Sequence, residues 1–258
     1  MLTEHDRLRY ARHLSLPQIG EAGQEKLKAS KVALIGLGGL GSPISLYLAA
    51  AGVGHLLVVD PDVVSESNLQ RQVLHSTEDL GIPKIESAVK RLGGLNPGCH
   101  VETAAERLTP DNAQTLLKGC DLLIDASDNY AARFAISDAS CALGIPFIYG
   151  AVRRFEGQVA LLDPAHGTAC YRCLFPSKEE ADILDRESAQ GLLGAMPGMI
   201  GATQSMEALK FLAGIKSPLY GSMLSVDTLT MRFRTIPLRP DPECQHHEIS
   251  QSTNQQNG

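Results

Sequence analysis

Two hydrophobic rhythms alternate along the chain. Short aliphatic runs bounded by glycine or aspartate read as buried strands at residues 31–36 (KVALIG), 55–60 (HLLVVD) and 121–127 (DLLIDAS). Residues 99–106 (CHVETAAE), 146–152 (PFIYGAV) and 157–163 (GQVALLD) extend the series. Helical segments stand between them. Residues 41–52 (GSPISLYLAAAG) predict a helix closed by a glycine, with Pro43 in the first turn, where a missing N–H costs least. Residues 83–96 contain a helix, residues 112–118 a short one after the start signal Thr109-Pro110-Asp111, and residues 129–143 a longer one. Strands alternating with helices predict a parallel α/β sheet.

Both ends depart from this rhythm. Residues 4–14 predict one short helix with Leu8, Ala11 and Leu14 on one side and Arg7, Arg9 and Arg12 elsewhere. Residues 16–23 (LPQIGEAG) read as a loop before a second short helix over 24–29. Residues 177–191 are charged, weakly patterned and read as a crossing loop. Residues 196–214 predict a helix closed by Gly214, and residues 219–227 and 230–238 an antiparallel pair. The polar tail over 248–258 predicts disorder. There is no internal repeat.

With 258 residues the chain can bury a substantial core, as one large domain or a domain with an extension. No stretch approaches the roughly 20 apolar residues of a membrane span. The charged start, MLTEHDRLRYARHL, lacks an apolar signal core, so the expected location is the cytoplasm. A net charge of −6 argues against a broad nucleic-acid surface. Neither nucleic acid nor membrane is an expected partner. In a cytosolic setting the six cysteines point to metal rather than to disulfides.

Gly36, Gly38 and Gly41 match G-x-G-x-x-G directly after a strand and at the start of a helix, and Gly39 adds a fourth glycine. The first permits a tight turn, the second lets backbone approach phosphate, and the third allows close helix–strand packing. The helix N-terminus offers N–H groups to an anion. Asp60 ends the second strand, 19 residues after Gly41, where an acidic side chain can hold ribose hydroxyls. These features fit ATP and NAD equally. The run Ser67-Asn68-Leu69-Gln70-Arg71-Gln72, followed by Lys84, separates them. Arg71 and Lys84 are two cations near the glycine turn, suited to a phosphate chain. Asp125 and Asp128 flank the end of a later strand, where one carboxylate can share Mg²⁺ with substrate phosphates.

Cys170 and Cys173 form a C-x-x-C knuckle, and Cys244 and His247 follow about 70 residues later. Three sulfurs and one imidazole make a tetrahedral zinc set with every position filled, which predicts a structural metal. A redox C-x-x-C and His246 in place of His247 are the alternatives. Cys99, Cys120 and Cys141 lack partner spacing and read as small buried or neutral residues. The fold class expected from all this is α/β: a Rossmann-like, mostly parallel sheet flanked by helices, with a C-terminal antiparallel extension and a structural zinc knuckle.

The segments GLGGLGSP, SNLQRQ, GIPKIESA, DASDN, GAVRRFEGQV, CYRCLFP and MEALKFLAG together resemble the ThiF/MoeB/HesA family, bacterial relatives of ubiquitin-activating enzymes, over about residues 3–247. The resemblance implies a single adenylation domain over 1–247, with a nucleotide-binding part at about 30–150 and a partner-binding and zinc part at about 151–247. It implies a homodimer that uses ATP and Mg²⁺ to adenylate a small β-grasp sulfur-carrier protein ending in Gly-Gly, in molybdopterin or thiamine synthesis. By the same resemblance, Gly39 and Gly41 line the phosphates and Asp60 holds ribose. Asn68, Arg71 and Lys84 contact the triphosphate, Gln72 belongs to the same cluster, and Asp128 sits at the Mg²⁺ and reacting centre. Arg12 resembles an arginine that reaches the triphosphate from the other subunit. His247 replaces the family's usual fourth cysteine. Many members carry a cysteine in the crossing loop, whereas residues 185–191 (DRESAQG) contain none. That disfavours a thiol-linked intermediate and favours a MoeB-type reaction in which adenylation suffices. No sulfurtransferase domain follows, so the sulfur is expected from a separate donor protein. A nicotinamide-dependent oxidoreductase and a non-catalytic carrier-binding scaffold are the competing readings.

Overall fold

A computed structural model describes residues 1–175 and 191–244. The N-terminal part runs α1 (Glu4–Arg9), α2 (Ala11–Leu14), α3 (Gly20–Ala29), β1 (Lys31–Ile35), α4 (Gly41–Ala51), β2 (His55–Val59), α5 (Lys84–Leu95) and β3 (His100–Ala104). It continues as α6 (Pro110–Leu117), β4 (Leu122–Asp125), α7 (Tyr130–Leu143), β5 (Phe147–Arg153), β6 (Glu156–Leu162) and α8 (Tyr171–Leu174). The last elements are α9 (Ala195–Ala213), β7 (Ser222–Asp227) and β8 (Arg232–Pro237).

The strands form one sheet in the order β3-β2-β1-β4-β5-β6-β7-β8. β3 to β5 are parallel, and β5 to β8 run antiparallel. The aliphatic runs become strands buried on both faces. On β1, Val32 and Leu34 join one core with α4, α5 and α9, while Ala33 and Ile35 join the other with α6 and α7. That is why these strands show unbroken apolar sequence rather than alternation. α4 ends where Gly52 takes φ 89°, and α6 starts with Thr109 and Asn112 in a reciprocal cap. The predicted antiparallel pair is present as β7 and β8.

Two expectations at the N-terminus are corrected. The single helix over 4–14 is broken at Tyr10, between α1 and α2. Tyr10 is buried, and Leu8, from the side shared with Ala11 and Leu14, is 80% exposed. The Tyr10 ring fills the space beside Gly52, where a Cβ would lie 2.5 Å from its Cζ, and its hydroxyl accepts from Asn96 Nδ2 at 2.8 Å. Anchoring this ring outweighs a continuous helical stripe. The loop expected over 16–23 is in part helix, because α3 begins at Gly20. Gly23 is buried there, and a Cβ on it would lie 3.5 Å from Cβ of Ala213 in α9. Its tightest neighbour is Ile19 Cγ2, at 3.1 Å from such a Cβ. The crossing loop up to residue 190 and the tail over 248–258 lie outside the described residues. Among the described residues, no helix is long and apolar enough to cross a membrane.

Candidate active site

The glycine turn is shaped by crowding. β1 ends between β2 and β4, and Gly36 donates its N–H to the Val59 carbonyl at 2.9 Å. Gly36 has φ 99°, in the left-handed region. A Cβ on it would lie 2.5 Å from the Ala126 carbonyl oxygen, and one on Gly41 would lie 2.0 Å from the Gly36 carbonyl oxygen. A Cβ on Gly38 would meet only the Gln72 amide, at 3.6 Å. The chain's own packing thus demands glycine at 36 and 41 but not at 38. No side chain caps the N-terminus of α4, which follows the turn.

Asp60 follows β2 and is 5% exposed. Its Oδ2 accepts the Leu37 N–H at 2.7 Å and its Oδ1 the Asp62 N–H at 2.9 Å. Burial pushes its carboxyl above the usual range. Lys84, the buried first residue of α5, donates to Asp62 Oδ2 at 2.9 Å and lies 3.9 Å from Asp60 Oδ2. In the polar run, Asn68 is a hub. Its Oδ1 accepts from Gln72 Nε2 at 2.6 Å and from Arg71 Nη2 at 3.3 Å, while Arg71 Nη1 donates to the Ser67 carbonyl at 3.1 Å. These bonds fix one orientation of a long cationic side chain.

At the end of β4, Asp125 is fully buried. Its Oδ1 accepts the Ser127 N–H at 2.9 Å and the Ser127 hydroxyl at 2.5 Å. Arg133 on α7 donates from Nη2 to the Ser127 carbonyl at 3.2 Å, and its Nε stands 3.3 Å from Asp125 Oδ2. Burial opposes the Arg133 charge, and the facing Asp125 carboxylate overcomes it, so the guanidinium pKa rises. Its guanidinium also lies 4.9 Å from the Tyr130 ring centre. From α9, Gln204 donates to the Asp125 carbonyl at 2.7 Å. This latch shapes the turn that leaves Asp128 exposed at the cleft.

The cleft has a volume of about 710 Å³. Gly39, Asn68, Arg71, Gln72, Lys84 and Asp128 line it together. It opens beside the ends of β1 and β4, where the strand order reverses. Gly36, Gly38, Gly41 and Asp60 stand outside the lining, and Asp60 braces the turn. Arg12 on α2 is exposed and does not reach this lining within one chain. Asp62, Arg133 and Tyr149 also line the cleft and were not anticipated. Asp62 had a signal, a second carboxylate two residues after Asp60. Arg133 and Tyr149 had none, since a helix and a strand of ordinary pattern carry them.

The three cysteines meet at α8. Cys170 Sγ lies 3.7 Å from Cys173 Sγ and 3.6 Å from Cys244 Sγ. All three sulfurs are within 4.8 Å of one another, and the Asp241 N–H donates to Cys173 Sγ at 3.4 Å. Such spacings match the edges of a tetrahedron with metal–sulfur bonds of about 2.3 Å. The group could hold a metal ion. His246 and His247 lie outside the described residues. Cys99 and Cys120 are buried, and burial pushes both thiols up to about 11, as suits unreactive packing residues.

A mostly parallel α/β sheet with a glycine turn and a cation-lined cleft at its switch point defines a Rossmann-like protein. More specifically, the ThiF family model matches residues 10–246, and the chain belongs to that family. It is 45% identical over 246 residues to a protein of Thermus thermophilus named sulfur carrier protein adenylyltransferase, covering 94% of this chain and 91% of that one. It is 44% identical over 236 residues to the SAMP-activating enzyme E1 of Haloferax volcanii, covering 92% and 87%. An adenylyltransferase and sulfurtransferase of Zea mays, MOCS3-1, is 42% identical over 239 residues, and the match spans 51% of that longer protein. Among solved structures, E. coli MccB with ATP superposes with a TM-score of 0.79 at 22% identity, over 95% of this chain and 76% of that one. That likeness is one of fold.

Proposed function

We propose that the chain uses ATP to adenylate the C-terminal Gly-Gly carboxylate of a small β-grasp sulfur-carrier protein, with release of pyrophosphate. The observation that carries this reading is the convergence of Asn68, Arg71, Gln72, Lys84 and Asp128 on one cleft beside the glycine turn. Arg71 offers a planar fork and Lys84 a point charge to the triphosphate. Gly39 and the uncapped start of α4 receive phosphate through backbone N–H groups. Asp60 keeps lone pairs for ribose hydroxyls beside its backbone partners. The carrier's carboxylate oxygen attacks the α-phosphorus, and the bond from that phosphorus to the bridging oxygen of pyrophosphate breaks. The carboxylate is already ionised at neutral pH, so no general base is needed, and the chain's task is positioning and charge stabilisation. Asp128 would hold Mg²⁺ with phosphate oxygens, and the ion would neutralise charge there.

In this reading residues 1–247 act as one unit, with the nucleotide at about 30–150 and the carrier and metal at about 151–247. Cys170, Cys173 and Cys244 take a structural zinc with His247, or with His246. Two chains pair so that Arg12 reaches the triphosphate on the partner subunit. The reaction takes place in the cytoplasm, and a separate protein donates the sulfur. The test is pyrophosphate exchange into ATP with molybdopterin-type and thiamine-type carriers. Exchange that requires a Gly-Gly-ended carrier is expected, and its absence with every such carrier sinks the proposal. Saturable NAD binding without ATP binding would put an oxidoreductase in its place.

A further inference from the structure

His75 lies outside the cleft lining, yet it joins three segments that supply cleft residues. Its backbone N–H donates to the Gln72 carbonyl at 3.1 Å, at the end of the polar run. Its ring is buried, with Nε2 3.1 Å from the Leu37 carbonyl oxygen in the glycine turn. Nδ1 stands 2.8 Å from Ser87 Oγ on α5, the helix that begins at Lys84. A carbonyl oxygen can only accept, so Nε2 carries the proton and Nδ1 faces the Ser87 hydroxyl, which is shared with the Asp79 carboxylate. Burial holds the imidazole below its ordinary pKa, which favours this neutral form. Leu37 is gripped on its other side too, where its N–H donates to Asp60 Oδ2 at 2.7 Å. Both backbone groups of the residue inside G-x-G are thus fixed by buried side chains.

We infer that His75 is a positioning residue that sets the placement of the phosphate-binding turn relative to Lys84, through the Leu37 carbonyl on one side and Ser87 on the other. The inference rests on the ATP site proposed above. A histidine that merely fills the core would affect stability alone, whereas this one controls affinity for the phosphate chain.

The test compares ATP·Mg²⁺ and adenosine binding by calorimetry, with thermal denaturation and carrier-dependent exchange on the same samples. His75→Ala is expected to weaken ATP binding roughly fivefold to tenfold, the value of one net hydrogen bond, and to leave adenosine affinity within about twofold. His75→Gln keeps an Nε2 donor toward Leu37 and is expected to recover most of the loss, even if its melting temperature stays low. Unchanged ATP affinity in folded His75→Ala, or equal weakening for ATP and adenosine, overturns the inference. If His75→Ala does not fold, Ser87→Ala decides. It removes the hydroxyl that ties the ring to α5, and ATP affinity equal to wild type there overturns the inference. Wild-type protein that binds ATP but supports no exchange defeats the adenylation reading, while the ratio of ATP to adenosine losses still judges His75.

Discussion

Lys84 is almost fully buried between two carboxylates, 2.9 Å from Asp62 and 3.9 Å from Asp60. A cation held that way is ready for phosphate without reorganisation, which is where electrostatic stabilisation gains most. Lys84→Ala is therefore expected to lower kcat/KM for carrier-dependent exchange by about 100-fold or more. Arg71→Lys should behave almost as poorly as Arg71→Ala, because a point charge cannot reproduce the fork that Asn68 orients. Restored activity in Arg71→Lys would remove the bidentate role. Asp6 sits far from this chemistry. It donates nothing but accepts from Lys28 at 2.5 Å and from the Thr3 backbone and hydroxyl in a capping box. The Lys28 bond first, and then the Thr3 bonds, hold its carboxyl well below the usual range. A depressed folded-state pKa means stabilisation that is present above the unfolded value of about 4 and is lost as pH falls through the folded value. Asp6→Asn should cost about 1 kcal/mol at neutral pH in urea denaturation, and the difference from wild type should shrink in acid.

At the scale of elements, the glycine turn and the cysteine knuckle make separate predictions. Gly41→Ala would drive a Cβ to 2.0 Å from a backbone carbonyl held between β1 and α4. The expected cost is about 2–4 kcal/mol in chemical denaturation, with ATP binding weakened in whatever protein folds. A change under half a kcal/mol would mean the turn relaxes more freely than this packing allows. Cys173→Ala is expected to lower bound zinc and melting temperature together, given that structural zinc contributes about 10–16 kcal/mol in small peptides. Elemental analysis that finds unchanged metal would remove Cys173 from the ligand set. Elements also show where sequence pattern was sufficient. β1, β2 and β4 were legible because burial on both faces leaves no polar positions. The helix expected over 24–29 is present as α3, but its start at Gly20 falls inside the segment read as a loop.

On the scale of the whole molecule, Arg12 is exposed on α2 and away from the cleft of its own chain. If it acts on the partner's triphosphate, mixing Arg12→Ala with Lys84→Ala subunits should restore activity that neither variant has alone. Random pairing makes half of the dimers mixed, each with one complete site, so recovery of about a quarter of wild-type exchange is expected. No recovery after subunit exchange has been verified would place Arg12 in its own chain's chemistry or outside the reaction. The parallel part of the sheet carries the glycine turn, and β5, where parallel pairing gives way to antiparallel, contributes Tyr149 to the cleft.

Sequence by itself determined most of the strands and helices, where the glycine turn falls, and the cysteine spacing that brings Cys170 and Cys173 together. Periodicity and residue chemistry report which face of a segment is buried and what a side chain can bind. They do not report which distant partner it meets. Only the tertiary structure decided that Asp60 braces Leu37, that Arg133 latches the Asp125 turn, and that His75 bridges Leu37 and Ser87. It also decided the break at Tyr10, whose ring finds Gly52 and Asn96 across the fold. Each of these rests on contacts between different elements, made where low dielectric and close packing give one geometry a decisive advantage.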